Sequence, residues 1–370
     1  MKKSLFLAIS LALVAGLAAQ VFAQAIGSSY SVAVLGDLHY DGETAEKFHS
    51  ERFNTQEYRR NKAMWKEESP GILAASAKCV GPDTAFVLQL GDLIQGQTSS
   101  YAAHTQMLAE ATSVLKATYP TLPVISTAGN HDVLGNEKAG KAYRDYMIPW
   151  QAAQLAPIAA NAVTNTTFGF RFGQDLWICI NFNNGVKSVP IVKKLLADNP
   201  DVRYTFITTH GPVLPMDLWK RRWFYLGDDN VSVNRYRREL RELFAKRNAI
   251  VLSGHVHSLE YKDWYGDGGR ITEMVVNSIP RYTKEARPKP AEPRVVYDTP
   301  DTYGVWLKSA ETNAANARFE ALYEEYRPGL KSRFASHAVG HNILRVSDSG
   351  VALDYYGRDA TTPTKTFTLR

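Results

Sequence analysis

Tyr30-Ser31-Val32-Ala33-Val34-Leu35-Gly36-Asp37-Leu38-His39-Tyr40 joins a short apolar run to a polar turn. Tyr30 to Leu35 has the length and β-branched character of a buried strand, and the first acid comes only after the glycine. The same sentence is written again downstream. Ala85 to Leu90 leads into Gly91-Asp92, and Leu122 to Thr127 leads into Gly129-Asn130-His131-Asp132. Tyr204 to Thr209 runs into His210-Gly211, and Ala249 to Ser253 into Gly254-His255-Val256-His257. Any one of these turns is weak, since an acid or a histidine after a strand is an ordinary loop contact. Together they hold five of the nine histidines at one structural place, which independent loops have no reason to share.

Working outward, Leu176 to Phe182 reads as a further strand, and helical patterns separate the runs. Ser69-Pro70 reads as a cap and first-turn proline opening a helix towards Cys79. Ser188 and Pro190 suggest a similar start before Val192 to Asp198, and Asn234 precedes a helix whose Leu240, Leu243 and Phe244 share a face. Strands alternating with helices predict an α/β layered domain, with its ligands beyond the carboxyl ends of the strands. Lys284 to Pro293, with three prolines among charges, reads as an extended loop, and a helix is expected within Lys308 to Tyr326. Asn342 to Val346, a turn at Asp348-Ser349-Gly350 and Val351 to Tyr355 read as a hairpin. Residues 24–370 are expected to form one domain, with insertions around 212–232 and 282–340.

The ordered set GDLHY, GDLI, GNHD, THG and GHVH resembles the calcineurin-like metallophosphoesterase superfamily over Val32 to about His257. The resemblance implies a four-layer α-β-β-α sandwich with two divalent metal ions at one end of its sheets. Carried over by motif, Asp37, His39 and His257 correspond to the ligands of one ion, and Asn130, His210 and His255 to those of the other. Asp92 corresponds to the bridging carboxylate. His131 matches a histidine that acts on the substrate phosphate, with Asp132 beside it to orient the ring or to cap a helix. Physical chemistry suits these roles. Two cations about 3.5–4 Å apart repel and need a shared anion, and an attacking water between them is acidified. The mixed oxygen and imidazole donors favour Mn, Fe, Zn or Ni over Ca. The glycines before Asp92, Asn130 and His255 let the backbone turn sharply. The purple acid phosphatase branch differs, because it places a tyrosine ligand where this chain has Gln95, and lacks a histidine equivalent to His39. A nuclease-like diesterase and a catalytically silent metal-holding protein are the competing functions.

Composition bounds the rest. With 45% hydrophobic and 22% charged residues in 370, wholesale disorder is excluded, and two cysteines exclude a cysteine-based zinc framework. Met1-Lys2-Lys3, the apolar Leu5 to Ala19 and Val21-Phe22-Ala23 read as a secretory signal (residues 1–23) cut after Ala23, with a periplasmic or secreted product. Removing it lowers the formal charge from +6 by two. That balance argues against nucleic acid as a partner, no stretch supports stable membrane insertion, and the resemblance implies a small phosphoester substrate. Cys79 and Cys179 are expected to be unpaired and buried. Trp219 to Tyr225 reads as a lid packed by its aromatics, while His337 and His341 read as structural and His49 and His104 receive no role.

Overall fold

The computed structural model describes residues 28–42, 62–159, 163–181, 183, 185–215, 231–279, 294–297 and 323–370. The signal segment, His49, the Trp219 to Tyr225 stretch, the Lys284 to Pro293 loop and most of the helix expected before Tyr326 lie outside them. In chain order come β1 (Tyr30–Leu35), α1 (Ser69–Lys78), β2 (Thr84–Gln89), α2 (Tyr101–Thr118), β3 (Val124–Ser126), α3 (Ala139–Leu155), β4 (Phe168–Phe172), β5 (Asp175–Ile180) and α4 (Gly185–Asp198). Then follow β6 (Thr205–Thr209), α5 (Val231–Lys246), β7 (Ile250–Ser253), β8 (Leu259–Gly266), β9 (Gly269–Val275), β10 (Arg294–Tyr297), β11 (Leu330–His337), β12 (Gly340–Ser347), β13 (Gly350–Gly357) and β14 (Lys365–Thr368). No helix among the described residues is long and apolar enough to cross a membrane.

The strands form two sheets, ordered β14-β13-β12-β1-β2-β3 and β10-β11-β8-β9-β7-β6-β5-β4. Within the first, β1, β2 and β3 run parallel; within the second, β5, β6, β7 and β9 do. Period-two alternation explains why the sheets stack. Val32 and Val34 on β1, Phe86 and Leu88 on β2, Trp177 on β5 and Phe206 on β6 enter one core between the sheets. Their neighbours Ala33, Leu35 and Val87 meet α1, α2 and α3 on one outer face. Ile178, Ile207 and Val251 meet α4 and α5 on the other. Four layers result. Trp177 is fully buried, stacked on Phe206 at 4.1 Å and edge-on to Phe86 at 5.1 Å. Burying a side chain of that size contributes about 3 kcal/mol or more.

Two helix starts and the burial of one cysteine differ from the sequence reading. Glu68, not Ser69, is the N-cap of α1, and α4 begins at Gly185 and runs through Pro190. Pro190 has no N–H to give the Val186 carbonyl and crowds it, a disturbance confined to the opening turns of the helix. Both cysteines are free as expected, but only Cys179 is buried; Cys79 is partly exposed.

On the outer face of the second sheet, charged residues stand where apolar ones belong. Glu273 on β9 accepts hydrogen bonds from the backbone N–H groups of Val213 and Leu214 at 2.6 and 2.7 Å, and from the Ser253 hydroxyl at 3.2 Å. Opposite it in register stands Lys262, whose Nζ donates to Glu260 at 2.7 Å; Glu260 also accepts from the Ser258 hydroxyl at 3.0 Å. Glu260, Lys262 and Glu273 are at most 1% exposed. The chain of contacts ties the loop after His210 to the loop after His257. Burial, offset in part by the Val213 amide and by Lys262, pushes the Glu273 carboxyl up to about 7.

Replacing Glu273 by Ala orphans two buried amides, so the variant should lose on the order of 2–4 kcal/mol of stability. A carboxyl with a raised folded pKa stabilises fully below its unfolded value near 4.5 and loses that contribution as pH rises through about 7. The difference between wild type and Glu273→Ala in urea unfolding should therefore be larger at pH 5 than at pH 8. An equal difference at both would contradict it.

Candidate metal centre

Parallel strands deliver the polar turns to one pole. Asp37 and His39 follow β1, Asp92 follows β2, Asn130 and His131 follow β3, His210 follows β6, and His255 and His257 follow β7. His39, Asp92, His255 and His257 all hold positive φ, between 44° and 71°. Such backbone conformations cost about 1–3 kcal/mol each in ordinary residues and concentrate at functional sites.

Packing explains two of the glycines differently from the sequence reading. A Cβ on Gly129 would lie 2.2 Å from Asp92 Oδ1, and one on Gly254 would lie 2.5 Å from Asp37 Oδ1. Neither holds a positive φ. Glycine is required there because carboxylates press against the backbone, not because the chain turns sharply.

Six of the seven expected ligands converge, and Asn130 stands in the turn after β3 beside His131. Asp37 Oδ2 lies 3.4 Å from His257 Nε2 and 3.8 Å from His39 Nε2. Asp92 Oδ2 lies 3.8 Å from His39 Nε2 and 3.0 Å from His210 Nε2, and His210 Nε2 is 3.0 Å from His255 Nδ1. Two groups able to hold a cation follow, Asp37–His39–His257 and Asp92–His210–His255, with Asp92 also grouped with His39 and His131. Asn130 Oδ1 and Asp37 Oδ2 are buried and accept no hydrogen bond from the protein. Buried acceptors without donors are costly, and cations satisfy them. The donor set fits two divalent ions, as the resemblance implies.

Neighbouring groups aim the rings. The Leu90 carbonyl lies 2.8 Å from His210 Nδ1 and the Gln95 carbonyl 2.8 Å from His131 Nδ1. A carbonyl only accepts, so both Nδ1 atoms carry hydrogen and both Nε2 atoms are left for the site. Ser278 Oγ sits 2.6 Å from His257 Nδ1. The His255 and His131 amides donate to Asp37 Oδ1 at 2.9 Å and Asp92 Oδ1 at 2.8 Å.

Charge is divided accordingly. Burial alone would raise the Asp92 carboxyl, but His210, His131 and His39 hold it well below the usual range. His210 reaches about 9 because Asp92 and Asp37 outweigh its burial. Burial lifts Asp37 to about 6, with the like charge of Asp92 adding. Burial, with His131 for one and His210 for the other, drives His39 down to about 3 and His255 well below the ordinary imidazole value. His39 and His255 are thus neutral donors, whereas His210 must lose a proton when its ring takes a cation.

Asp132 does not orient His131. Its carboxylate turns into the protein and accepts from Gly129 N at 2.8 Å and Ile94 N at 3.2 Å, bracing the turn after β3 against the one after β2. His131 takes its orientation from Gln95, a backbone contact that no side-chain motif encodes. His104, given no role from sequence, supports the same turn, with Nε2 2.7 Å from the Asp132 carbonyl. Asn183, also missed, donates to the Gly129 carbonyl at 2.7 Å. Its signal was present, since Asn181 and Asn183 stand just beyond β5 as His210 stands beyond β6.

Among solved structures the chain is similar to a purple acid phosphatase from yellow lupin seeds (Lupinus luteus), with 14% identity and a TM-score of 0.51. That alignment covers 92% of this chain and 53% of the lupin protein, so the chain spans about half of its length. It is also similar to a dimetal phosphatase from Danio rerio (9% identity, TM-score 0.50, 92% and 98% of the two chains). A third likeness is to GAP50, the anchor in the inner membrane complex of Plasmodium (13% identity, TM-score 0.50, 93% and 89%). At such identities these likenesses speak to fold alone. No curated protein matches the sequence significantly. The calcineurin-like phosphoesterase family model matches residues 30–259, well over half the chain and every turn of the site, and the chain belongs to that family.

Proposed function

We propose that this protein is an exported phosphoesterase that hydrolyses small phosphate mono- or diesters at a dinuclear metal centre. One observation carries the reading: Asp37, Asn130, His210 and His255 bring buried donor atoms to one pole, Asn130 Oδ1 and Asp37 Oδ2 accepting no hydrogen bond there, while the Asp92 carboxylate faces His39 of one group and His210 of the other. Bound there, two divalent ions (Mn, Fe, Zn or Ni) supply the positive charge that acidifies an attacking water and neutralises phosphate oxygens. Asp37, His39 and His257 would hold one, and Asn130, His210 and His255 the other, with Asp92 between them.

The remaining work falls to His131. With Nδ1 committed to Gln95, its Nε2 is the atom that meets substrate. Protonated, it donates to a phosphate oxygen as charge builds and can pass the proton to the departing alkoxide. Its ring stands edge-on to His39 at 4.7 Å, beside the proposed centre yet fixed by a contact that ion binding does not need. A protein that merely stores ions does not require such a residue. Export rests on the leader-like Met1 to Ala23, and sequencing the mature N-terminus should find Gln24 first.

Replacing Asp92 by Asn should abolish tight binding of both ions and turnover together. His131→Ala should keep both ions, by calorimetry with Mn or Zn, while turnover of a chromogenic phosphate ester falls by about 10²–10⁴-fold. A fully active His131→Ala would refute the assignment, and an ion-replete wild type inert towards monoesters and diesters would make the protein a metal-holding scaffold. Ions bind only the folded centre, so chelation should lower the melting temperature and re-addition of Mn or Zn should restore it.

A further inference from the structure

The starts of β6, β7 and β9 lie at the pole opposite the metal-site turns, roughly 16 Å away along β6. There they surround a cavity of about 400 Å³. Five cations line it, Arg203, Lys246, Arg247, Arg270 and Arg370, and no acidic side chain does. Three have acidic partners behind the wall. Arg203 clamps Asp175 through Nε and Nη2 at 3.0 and 2.7 Å, and Arg270 Nε meets Asp263 at 2.5 Å. Lys246 reaches Glu242 at 2.5 Å, but both are more than half exposed, so that pair is screened.

Arg247 and Arg370 are different. Arg247 donates to the carbonyls of Leu196, Asn199 and Pro200. Arg370 donates to the carbonyls of Asn248, Ala249 and Leu369 and to the Thr272 hydroxyl. Among the described residues no carboxylate hydrogen-bonds either one. Carbonyls satisfy N–H donors without cancelling charge, so neither guanidinium has an ion pair of its own among the described residues at this concave surface, and the carboxylate that Arg370 feels, Asp263, is already held by Arg270. Burial, reinforced by the like charge of Arg270 and opposed in part by Asp263, lowers the Arg370 guanidinium to about 10.

We propose that this cavity is a second, non-catalytic site that takes a phosphate-type oxyanion, either inorganic phosphate or the phosphate end of a small ester. A tetrahedral dianion supplies the missing charge, and planar guanidinium groups match its oxygens in pairs. The site shares no residue with the metal centre and does not depend on the reaction proposed for it.

The test is calorimetric titration of chelated Asp92→Asn protein, in which the metal centre cannot answer, with inorganic phosphate and separately with glycerol 3-phosphate. One saturable site per chain is expected, weakening as NaCl rises. Arg247→Gln combined with Arg370→Gln should weaken it at least about tenfold, and so should Lys246→Glu. Equal affinity for both probes assigns the free anion, and tighter binding of the ester assigns a phosphorylated small molecule. Absence of saturable binding by either overturns the proposal. So does affinity that the substitutions leave unmoved, which would make Arg247 and Arg370 carbonyl staples only. Lys246 is exposed and staples nothing, so Lys246→Glu decides the matter even if the arginine variants fail to fold.

Discussion

Asp92 is the point on which the pole of the molecule is built. Its backbone carbonyl accepts from Leu38 N and His39 N at 3.0 and 2.8 Å, fastening the turn after β1. Its Oδ1 fastens the turn after β3 through His131 N, and its Oδ2 meets His210 from the turn after β6. A carboxylate only 1% exposed is expensive to keep ionised. Here the expense is offset by an amide donor and by surrounding imidazoles that favour the anion. Truncating the side chain therefore frees the turns after β3 and β6 together, while the backbone carbonyl keeps the turn after β1, and the positive φ of Asp92 and the bare backbone of Gly129 let the carboxylate sit there.

Much of this was legible because buried parallel strands carry a simple code. β1, β2, β3, β5, β6 and β7 are covered on both faces, so each reads as an unbroken apolar run whose end is marked by the first polar side chain. The seven proposed ligands and His131 all stand within a few residues of such an end, and that shared position makes weak motifs informative together. The hairpin of β12 and β13 was equally plain, with its register running from Gly340↔Gly357 to Ser347↔Gly350 across the turn.

What sequence could not show are contacts that exist only after folding. β8 was unreadable as a strand because Glu260, Lys262 and Asp263 interrupt its apolar residues, and their burial is tolerable only with partners found in space. Gly91 holds the positive φ that a sharp turn implies, but Gly129 and Gly254 are required for another reason, since the carboxylates they accommodate come from elsewhere in the chain. Asp132 and His131 are adjacent in sequence yet serve opposite sides of the same turn. Carbonyls such as Leu90 and Gln95, which fix the tautomers at the centre, leave no side-chain signature at all.

Strand direction unites the two poles. Because β5, β6, β7 and β9 run the same way, all their carboxyl ends share one pole and all their amino ends the other. The first pole receives turns that follow strands, and selection there has placed acids and imidazoles around a shared carboxylate. The second receives the segments that return from helices, and the end of α5 contributes Lys246 and Arg247 just before β7. Basic residues suit that position, because the last turn of a helix presents unsatisfied carbonyls and partial negative charge. Arg247 answers α4 in that way, bonding the carbonyls of Leu196 and Asn199 at its end. Helix termini thus explain why cations gather at the pole opposite the metal-site turns. They do not supply an ion-pair partner for Arg247 or Arg370, and that is what separates the cavity from an ordinary set of capped helices.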